Sequence, residues 1–504
     1  MKILFIYPNL YAQIGFNYGV AFLSAVLKQD GHNTALLNIN EKLGYPLDVP
    51  RIMNDIRAFN PDLIAFSAVT NQFQYALKIA AEIKKHFQIP LVCGGIHVTM
   101  APEEVMETGL FDAVFIGESE YALREYVRAL SIKQDPSSTP NTWQRKGAAI
   151  IKNPVSPFPA LETLPAKDYA IFDFQKMIDA KDGWVGIMAS RGCPFRCTYC
   201  FNHQIVERYT TDLQVPAAQL NYIRHHPVKD VITEIVCLQK HYRNIRMYIF
   251  DDDLFTFDEY YVKEFCAAYR NVTSLPFVAN AHVQVFTPEI ARCLKKAGCR
   301  IIKFGIESGS ERIRKKVMNR AMSNDTIRKA FATAHGAGLH TSAFVMFGLP
   351  YETREDIMET MQLLADIQPG RFRWAIFFPF PHTSAYEISR QGGFIDFNRM
   401  VSLNNFTEES CLNFGPEQNL WIQKLQKIFP WQVNARARFP AAQEYRNMLQ
   451  KMEELSAESW ASEQDSILTI DQETSARLSA AGLEHYAIRF NPFMAVHSDW
   501  KEDA

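Results

Sequence analysis

Short apolar runs alternate with segments of helical periodicity over the first 116 residues. Lys2 to Pro8, Thr34 to Leu37, Asp62 to Ser67, Leu91 to Cys93 and Ala113 to Ile116 read as strands. Gly19 to Gln29, Pro50 to Phe59, Tyr75 to His86 and Pro102 to Thr108 read as helices, the first ending at Gly31. Alternation this regular predicts an α/β fold with a parallel, doubly wound sheet. Ligands of such sheets bind beyond the carboxyl ends of the strands.

From Ser131 to Phe158 the chain turns polar and proline-rich, with SIKQDPSSTPN as the clearest loop. Alternation resumes with an apolar run from Trp184 to Ala189. Ile245 to Phe250, Phe277 to Ala281, Ile301 to Ile306, His340 to Phe347 and Trp374 to Phe378 follow as strands. Between them Pro216 to Tyr222, Tyr260 to Val272, Pro288 to Lys296, Asn324 to Ala337 and Arg354 to Ile367 read as helices. The last stretch has helical pieces at Ala442 to Leu455 and Thr474 to Ala481 and no motif. It suits a helical cap over a substrate pocket or a solvated surface. The expected boundaries are 1–135, a linker at 136–180, 181–395, and a mainly helical region at 396–504.

Composition narrows the function classes. The chain of 504 residues is 47% apolar and 21% charged, as in an ordinary globular protein with two or three cores. A net charge of −2 gives no electrostatic case for nucleic acid or a membrane surface. No apolar run approaches the roughly 20 residues of a membrane span. Nine cysteines and an apolar start cut short by Pro8 point to a reducing compartment, with cytoplasm as the default.

The chemistry concentrates in Ser190 to Asn202, SRGCPFRCTYCFN, directly after a strand. Cys193, Cys197 and Cys200 stand at C-x-x-x-C-x-x-C spacing, and three thiolates on one tight loop can hold three irons of a cubane cluster and leave the fourth open. Structural zinc would want a fourth ligand, and His203 is outside the usual paired spacing. The other six cysteines are scattered without C-x-x-C spacing and read as core residues.

Strand ends carry the remaining candidates. In the first region these are Ser67, Ala68 and Thr70, then Gly94, Gly95 and His97, then Gly117 and Glu118, where glycines would let a ligand approach the backbone. Further on, Asp251, Asp252 and Asp253 crowd three carboxylates that call for a cationic partner. Phe304-Gly305-Ile306-Glu307-Ser308-Gly309-Ser310 places a carboxylate able to accept two hydroxyls. Glu352 can open the helix after its strand, and His382 is a possible general base.

The cysteine loop with Tyr199 resembles the motif of the radical S-adenosylmethionine (SAM) superfamily, and the GIESGSERI pattern is common in that family. The resemblance implies a partial (β/α)6 barrel and a 4Fe-4S cluster on the three cysteines. It also implies SAM cut to a 5'-deoxyadenosyl radical, with Tyr199 near the adenine, an aspartate of 251–253 (Asp252 foremost) on the methionyl amine, and Glu307, helped by Ser308, on the ribose. GVAFLSAVLKQDGHNTALLN, PDLIAFSAVTNQ, CGGIHVTMAPEE and GESE together resemble the Rossmann-like cobalamin-binding domain found ahead of many such barrels. That resemblance covers roughly residues 1 to 130. The D-x-H-x-x-G by which some cobalamin domains offer cobalt a histidine is missing after the first strand, so cobalt without a protein histidine is expected.

These resemblances imply a cobalamin-dependent radical SAM enzyme acting on a small-molecule substrate, with an electron donor such as flavodoxin or ferredoxin. Methylation of an unactivated carbon is the leading expectation. Ring-forming or rearrangement chemistry by a non-methylating relative shares every motif. A cobalamin-binding sensor or a zinc-binding interaction protein would need no open-iron motif.

Overall fold

The computed structural model describes residues 1–403 and 409–500, so parts of the expected region 396–504, namely 404–408 and 501–504, lie outside the described residues. The chain divides into two compact units. One comprises Met1–Pro194, Cys200–Asp253 and Asn271–Leu275; the other comprises Phe195–Tyr199, Leu254–Arg270 and Pro276–Ala504.

The first unit is built on strands β1 (Lys2–Pro8), β2 (Asn33–Ile39), β3 (Leu63–Ser67), β4 (Leu91–Gly94), β5 (Ala113–Phe115), β6 (Thr142–Lys146) and β7 (Ala149–Lys152), in the order 2-1-3-4-5-6-7. The first five are parallel, with Leu4 opposite Ala35 and Ile3 opposite Leu63. The apolar runs of β1, β3, β4 and β5 are largely buried on both faces, as parallel strands covered by helices must be, while the edge strand β2 is only partly buried. Strand order reverses at β1 and β3, and the crevice at such a switch point lies beyond the strands' carboxyl ends. Asn17 caps the helix Tyr18–Gln29 there by accepting from the Val20 amide at 3.0 Å.

Strands β6 and β7 were not expected, because TWQRK and AIIK sit in a polar, proline-rich stretch. They add an antiparallel hairpin to β5 at the sheet edge, where a strand needs only one buried face. The same unit holds β8 (Trp184–Ile187), β9 (Ser190–Arg191), β10 (Arg224–His225) and β11 (Met247–Phe250), with β8 parallel to β11 and β9 antiparallel to β10. The helix expected at Pro216 to Tyr222 is a single 3-10 turn, Ala217–Gln219; the helices are Phe201–Leu213 and Val228–His241.

The second unit carries parallel strands β12 (Phe277–Ala281), β13 (Cys299–Glu307), β14 (His340–Phe347) and β15 (Arg371–Ile376) in chain order. Near the chain's end β16 (Tyr486–Ile488) pairs with β17 (Met494–His497), and β17 runs antiparallel to β15. The region after 396 is otherwise helical, with Pro416–Arg436, Ala442–Glu453 and Ile467–Ala480 as its longer helices. Trp374 and Phe347 pack on Phe429, and the Trp374 indole donates to the Gln426 carbonyl at 2.8 Å. The terminal helices thus close the core of this unit rather than forming a loose surface. Among the described residues no helix is long and apolar enough to cross a membrane.

Candidate functional site

At the carboxyl ends of β1, β3, β4 and β5 the first unit has a cavity of about 490 Å³, walled by apolar side chains such as Phe5, Phe66 and Phe115. Its size is that of a small-molecule site, for which about 300–1,000 Å³ is usual. Ser67, Gly94, Gly95, Gly117 and Glu118 line it; Thr70 and His97 do not. Thr70 opens a short turn, Thr70–Gln72, while the buried His97 ring packs 4.1 Å from Phe73. The Ser67 hydroxyl accepts from the Asn17 side-chain amide at 3.1 Å.

The glycines differ in what requires them. A Cβ on Gly95, whose φ is +104°, would meet the Ala68 carbonyl at 2.5 Å, and one on Gly117 would strike the Tyr209 ring. These two serve the protein's own packing. Gly94 is different, because a Cβ there meets only Phe115 at 3.5 Å and its backbone is unstrained. It is the position that a side chain could extend into the cavity.

Glu118 is not available as an anionic ligand. It pairs with Arg191 at 2.6 Å and with Arg224 at 3.1 Å, and Arg191 also holds Glu120 at 2.7 Å. Burial would raise the Glu118 pKa, but the two guanidinium groups outweigh it and hold the carboxyl below its usual value. This knot ties the turn after β5 to Arg191, two residues before Cys193. Sequence reading passed over Arg191 although it lies within the cysteine motif.

From the cavity wall the Tyr18 hydroxyl donates to Asp251 at 2.8 Å, and Gly186 on β8 leaves room for that pair. Asp251 and Asp253 are exposed at the end of β11, whereas Asp252 is only 1% exposed. Asp252 accepts from the Ser190 hydroxyl and from the Ala189 amide at 3.3 Å, and burial pushes its pKa up to about 7. Its place is therefore under the strand that leads into the cysteine loop, and the carboxylates left exposed beside it are those of Asp251 and Asp253. Asp253 accepts from Asn202 and the Gly192 amide.

The middle of the loop, Phe195–Tyr199, belongs to the second unit and is anchored there residue by residue. Phe195 stacks on His282 at 3.8 Å, Asn319 donates to the Arg196 carbonyl at 2.8 Å, and Thr198 donates to the Val317 carbonyl at 2.7 Å. Arg320 donates to Cys197 Sγ at 3.3 Å, to the Tyr199 hydroxyl at 3.3 Å and to the Gly305 carbonyl at 2.6 Å. Its charge also faces Glu307, which hydrogen-bonds Tyr199. Burial raises the Glu307 pKa, opposed by Arg320 and Tyr199. Glu307 has a φ of +70° at a break in the β13–β14 register, backbone strain of the kind found at ligand-binding positions.

The thiols fit an iron–sulfur cluster by donor type: none is in a disulfide, and Cys197 receives an N–H bond on sulfur, a contact that stabilises a thiolate. Among the described residues no three His, Cys, Asp or Glu side chains stand together as a metal site, so the cluster rests on the loop's spacing and chemistry. Ser308 does not join Glu307: it is fully buried, 3.4 Å from the Thr360 hydroxyl, and accepts from the Ser310 amide at 3.2 Å. His382 is exposed with a φ of +66°.

Glu352 proves to be a turn lock. Fully enclosed, it accepts from the Gly348 and Leu349 amides at 2.6 and 3.0 Å, while Thr353 caps the following helix. Burial lifts its pKa from 4.5 to about 8. The folded chain then holds more protons than the unfolded one between those values, so this carboxyl makes stability fall as pH rises through that window. Thermal melts from about pH 5 to about pH 9 should show a shallower fall for Glu352→Gln. An unchanged slope would refute the assignment.

Two family models match the chain: the B12 binding domain over residues 10–127 and the Radical SAM superfamily over residues 187–364. An uncharacterized methyltransferase of Pyrococcus horikoshii is 27% identical over 399 residues, covering 77% of this chain and 83% of that protein. The anaerobic magnesium-protoporphyrin IX monomethyl ester cyclase of Rubrivivax gelatinosus is 25% identical over 454 residues, covering 85% and 77%. Among solved structures, the radical SAM methyltransferase TsrM from Kitasatospora setae superposes with a TM-score of 0.63 at 18% identity, covering 77% of this chain and 76% of that one. The cobalamin-dependent radical enzyme OxsB superposes with a TM-score of 0.66 at 14% identity, covering 95% and 75%. These last two share the fold.

Proposed function

This chain carries a B12-binding domain ahead of a radical SAM domain, and we propose that it is a cobalamin-dependent methyltransferase acting on an unactivated carbon of a small-molecule metabolite. The observation that carries the reading is the Tyr18–Asp251 bond, which couples the wall of the strand-end cavity to the carboxylates beside the cysteine loop within one compact unit. The methyltransferase among the relatives favours methylation, and the cyclase keeps ring formation as the second reading.

Residues 1–135 would hold cobalamin, with Ser67 and Gly94 at the cavity wall, and residues 181–395 would hold the cluster and SAM. Cys193, Cys197 and Cys200 would bind three irons, Asp251 and Asp253 the methionyl ammonium, and Glu307 with Tyr199 the ribose. When bound, the cluster supplies the electron that cleaves SAM and cobalamin supplies a methyl carrier. The protein's part is to orient: Asp252 fixes the approach to the loop, Arg320 holds Cys197, Tyr199 and Glu307 in one array, and the apolar cavity wall keeps water from the carrier. We place the enzyme in the cytoplasm, drawing electrons from flavodoxin or ferredoxin.

Anaerobically reconstituted protein, given methyl-labelled SAM and strong reductant, should form both 5'-deoxyadenosine and S-adenosylhomocysteine, the second only when cobalamin is present. Formation of 5'-deoxyadenosine alone would move the assignment to ring-forming chemistry. Gly94→Leu should weaken cobalamin retention about tenfold without loss of folding, since its side chain fills the cavity. Equal retention on gel filtration would place cobalamin elsewhere.

A further inference from the structure

Side chains of β13, β14 and β15 alternate between two faces. Phe304 packs on Phe331 with ring centroids 5.0 Å apart, and Phe347 and Trp374 pack on Phe429, so that face is covered by helices. The opposite face carries Lys303 and Glu307 from β13, Phe344 from β14, and Arg371 and Arg373 from β15. It is cationic: Glu307 alone among these is acidic, and it already faces Arg320. Gly305 is opposite Phe344 and Phe344 opposite Arg373, while Glu307, past the register break, is opposite Val345, so Arg373 lies one residue below the level of Glu307, about 3.3 Å along the strands.

Arg371 has partners of its own, with its Nε bonded to His340 at 3.1 Å and its guanidinium 4.8 Å from the Trp500 ring. Arg373 differs. Its guanidinium stands 5.9 Å from the Phe344 ring and 5.1 Å from the Phe493 ring. No hydrogen bond or ion pair of its side chain occurs among the described residues. Burial lowers its pKa, and no neighbouring carboxylate opposes that shift. Two aromatic rings steady the cation while its N–H groups stay unspent. Such a group is matched by a planar or tetrahedral oxyanion that accepts two N–H bonds at once.

We propose that Arg373, steadied by Phe344 and Phe493, anchors a subsite for an anionic group of the substrate, a carboxylate or phosphoryl group. This deepens the methyl-transfer reading and rests on it for the existence of a small-molecule substrate. The anion bound at Arg373 would fix how deep the substrate enters, leaving its reacting carbon one residue higher, near Glu307 and the cysteine loop's Tyr199.

Calorimetric titration of the cluster-reconstituted, full-length protein with inorganic phosphate and with acetate reads the subsite without turnover. A failed methyl-transfer assay therefore leaves the result intact, and a failed titration leaves methyl transfer standing. One anion per chain is expected, with affinity reduced about tenfold or more in Arg373→Gln and partly recovered in Arg373→Lys, which keeps the charge and loses the paired N–H geometry. Equal affinity in wild type and Arg373→Gln overturns the proposal. A parallel loss of SAM affinity also overturns it, because the guanidinium then serves SAM's own carboxylate. Should Arg373→Gln fail to fold, Arg373→Lys decides alone: phosphate affinity unchanged from wild type counts against the subsite.

Discussion

Cys197→Ala is expected to leave a folded protein that neither retains a 4Fe-4S cluster nor cleaves SAM, with 5'-deoxyadenosine formation down by more than about 10³-fold. The loss is chemical rather than structural, because the loop around this thiol is held by other groups. Phe195 on His282, Asn319 on the Arg196 carbonyl and Thr198 on the Val317 carbonyl all survive the substitution. Cys197 itself is 6% exposed, and alanine in its place removes one sulfur and a small buried volume. Two remaining thiols cannot hold three irons. Iron and sulfide analysis of anaerobic protein, with electron paramagnetic resonance of the reduced sample, checks the cluster, and circular dichroism checks the fold. Retained SAM cleavage would sink the assignment of the loop as a cluster site.

What could be read from the chain follows from where information is local. Three thiols at fixed spacing behind a strand report their chemistry without any tertiary partner. The parallel strands announced themselves through uninterrupted apolar runs such as KILFIYP and LIAFS. By contrast β6, β7, β16 and β17 are short, and their pairing is decided by a neighbouring edge rather than by their own pattern. The same limit governs side chains. Nothing in DDD tells which aspartate turns inward, yet in the turn after β11 Asp252 is buried against Ser190 while Asp251 and Asp253 stay exposed. Gly95 and Gly117 line the cavity, yet Ala68 and Tyr209, both distant in sequence, already require glycine there, which the sequence could not tell. Arg320 had no signal at all, since its partners come from two stretches of chain far apart in sequence.

Arg320→Met is expected to reduce SAM cleavage by about 10²-fold or more while the protein still folds, because one guanidinium supports three site groups at once. It donates to Cys197 Sγ, to Tyr199 and to the Gly305 carbonyl, and its charge opposes the burial that raises the Glu307 pKa. Without that charge Glu307 is a buried carboxyl on a strained backbone, and its pKa rises further. A protonated Glu307 accepts ribose hydroxyls poorly, so SAM affinity should weaken and recover as pH is raised and the carboxyl ionises. Wild-type affinity, with the counter-charge in place, should depend less steeply on pH across the same range. Arg320→Lys, a point charge without the fork, should restore the flat pH response better than it restores the contact to Cys197. Binding of SAM followed against pH in the two variants, beside the electron paramagnetic resonance of the reduced cluster, separates the two roles. An Arg320→Met protein with wild-type SAM affinity at every pH and an unaltered cluster signal would show that the guanidinium only packs the loop.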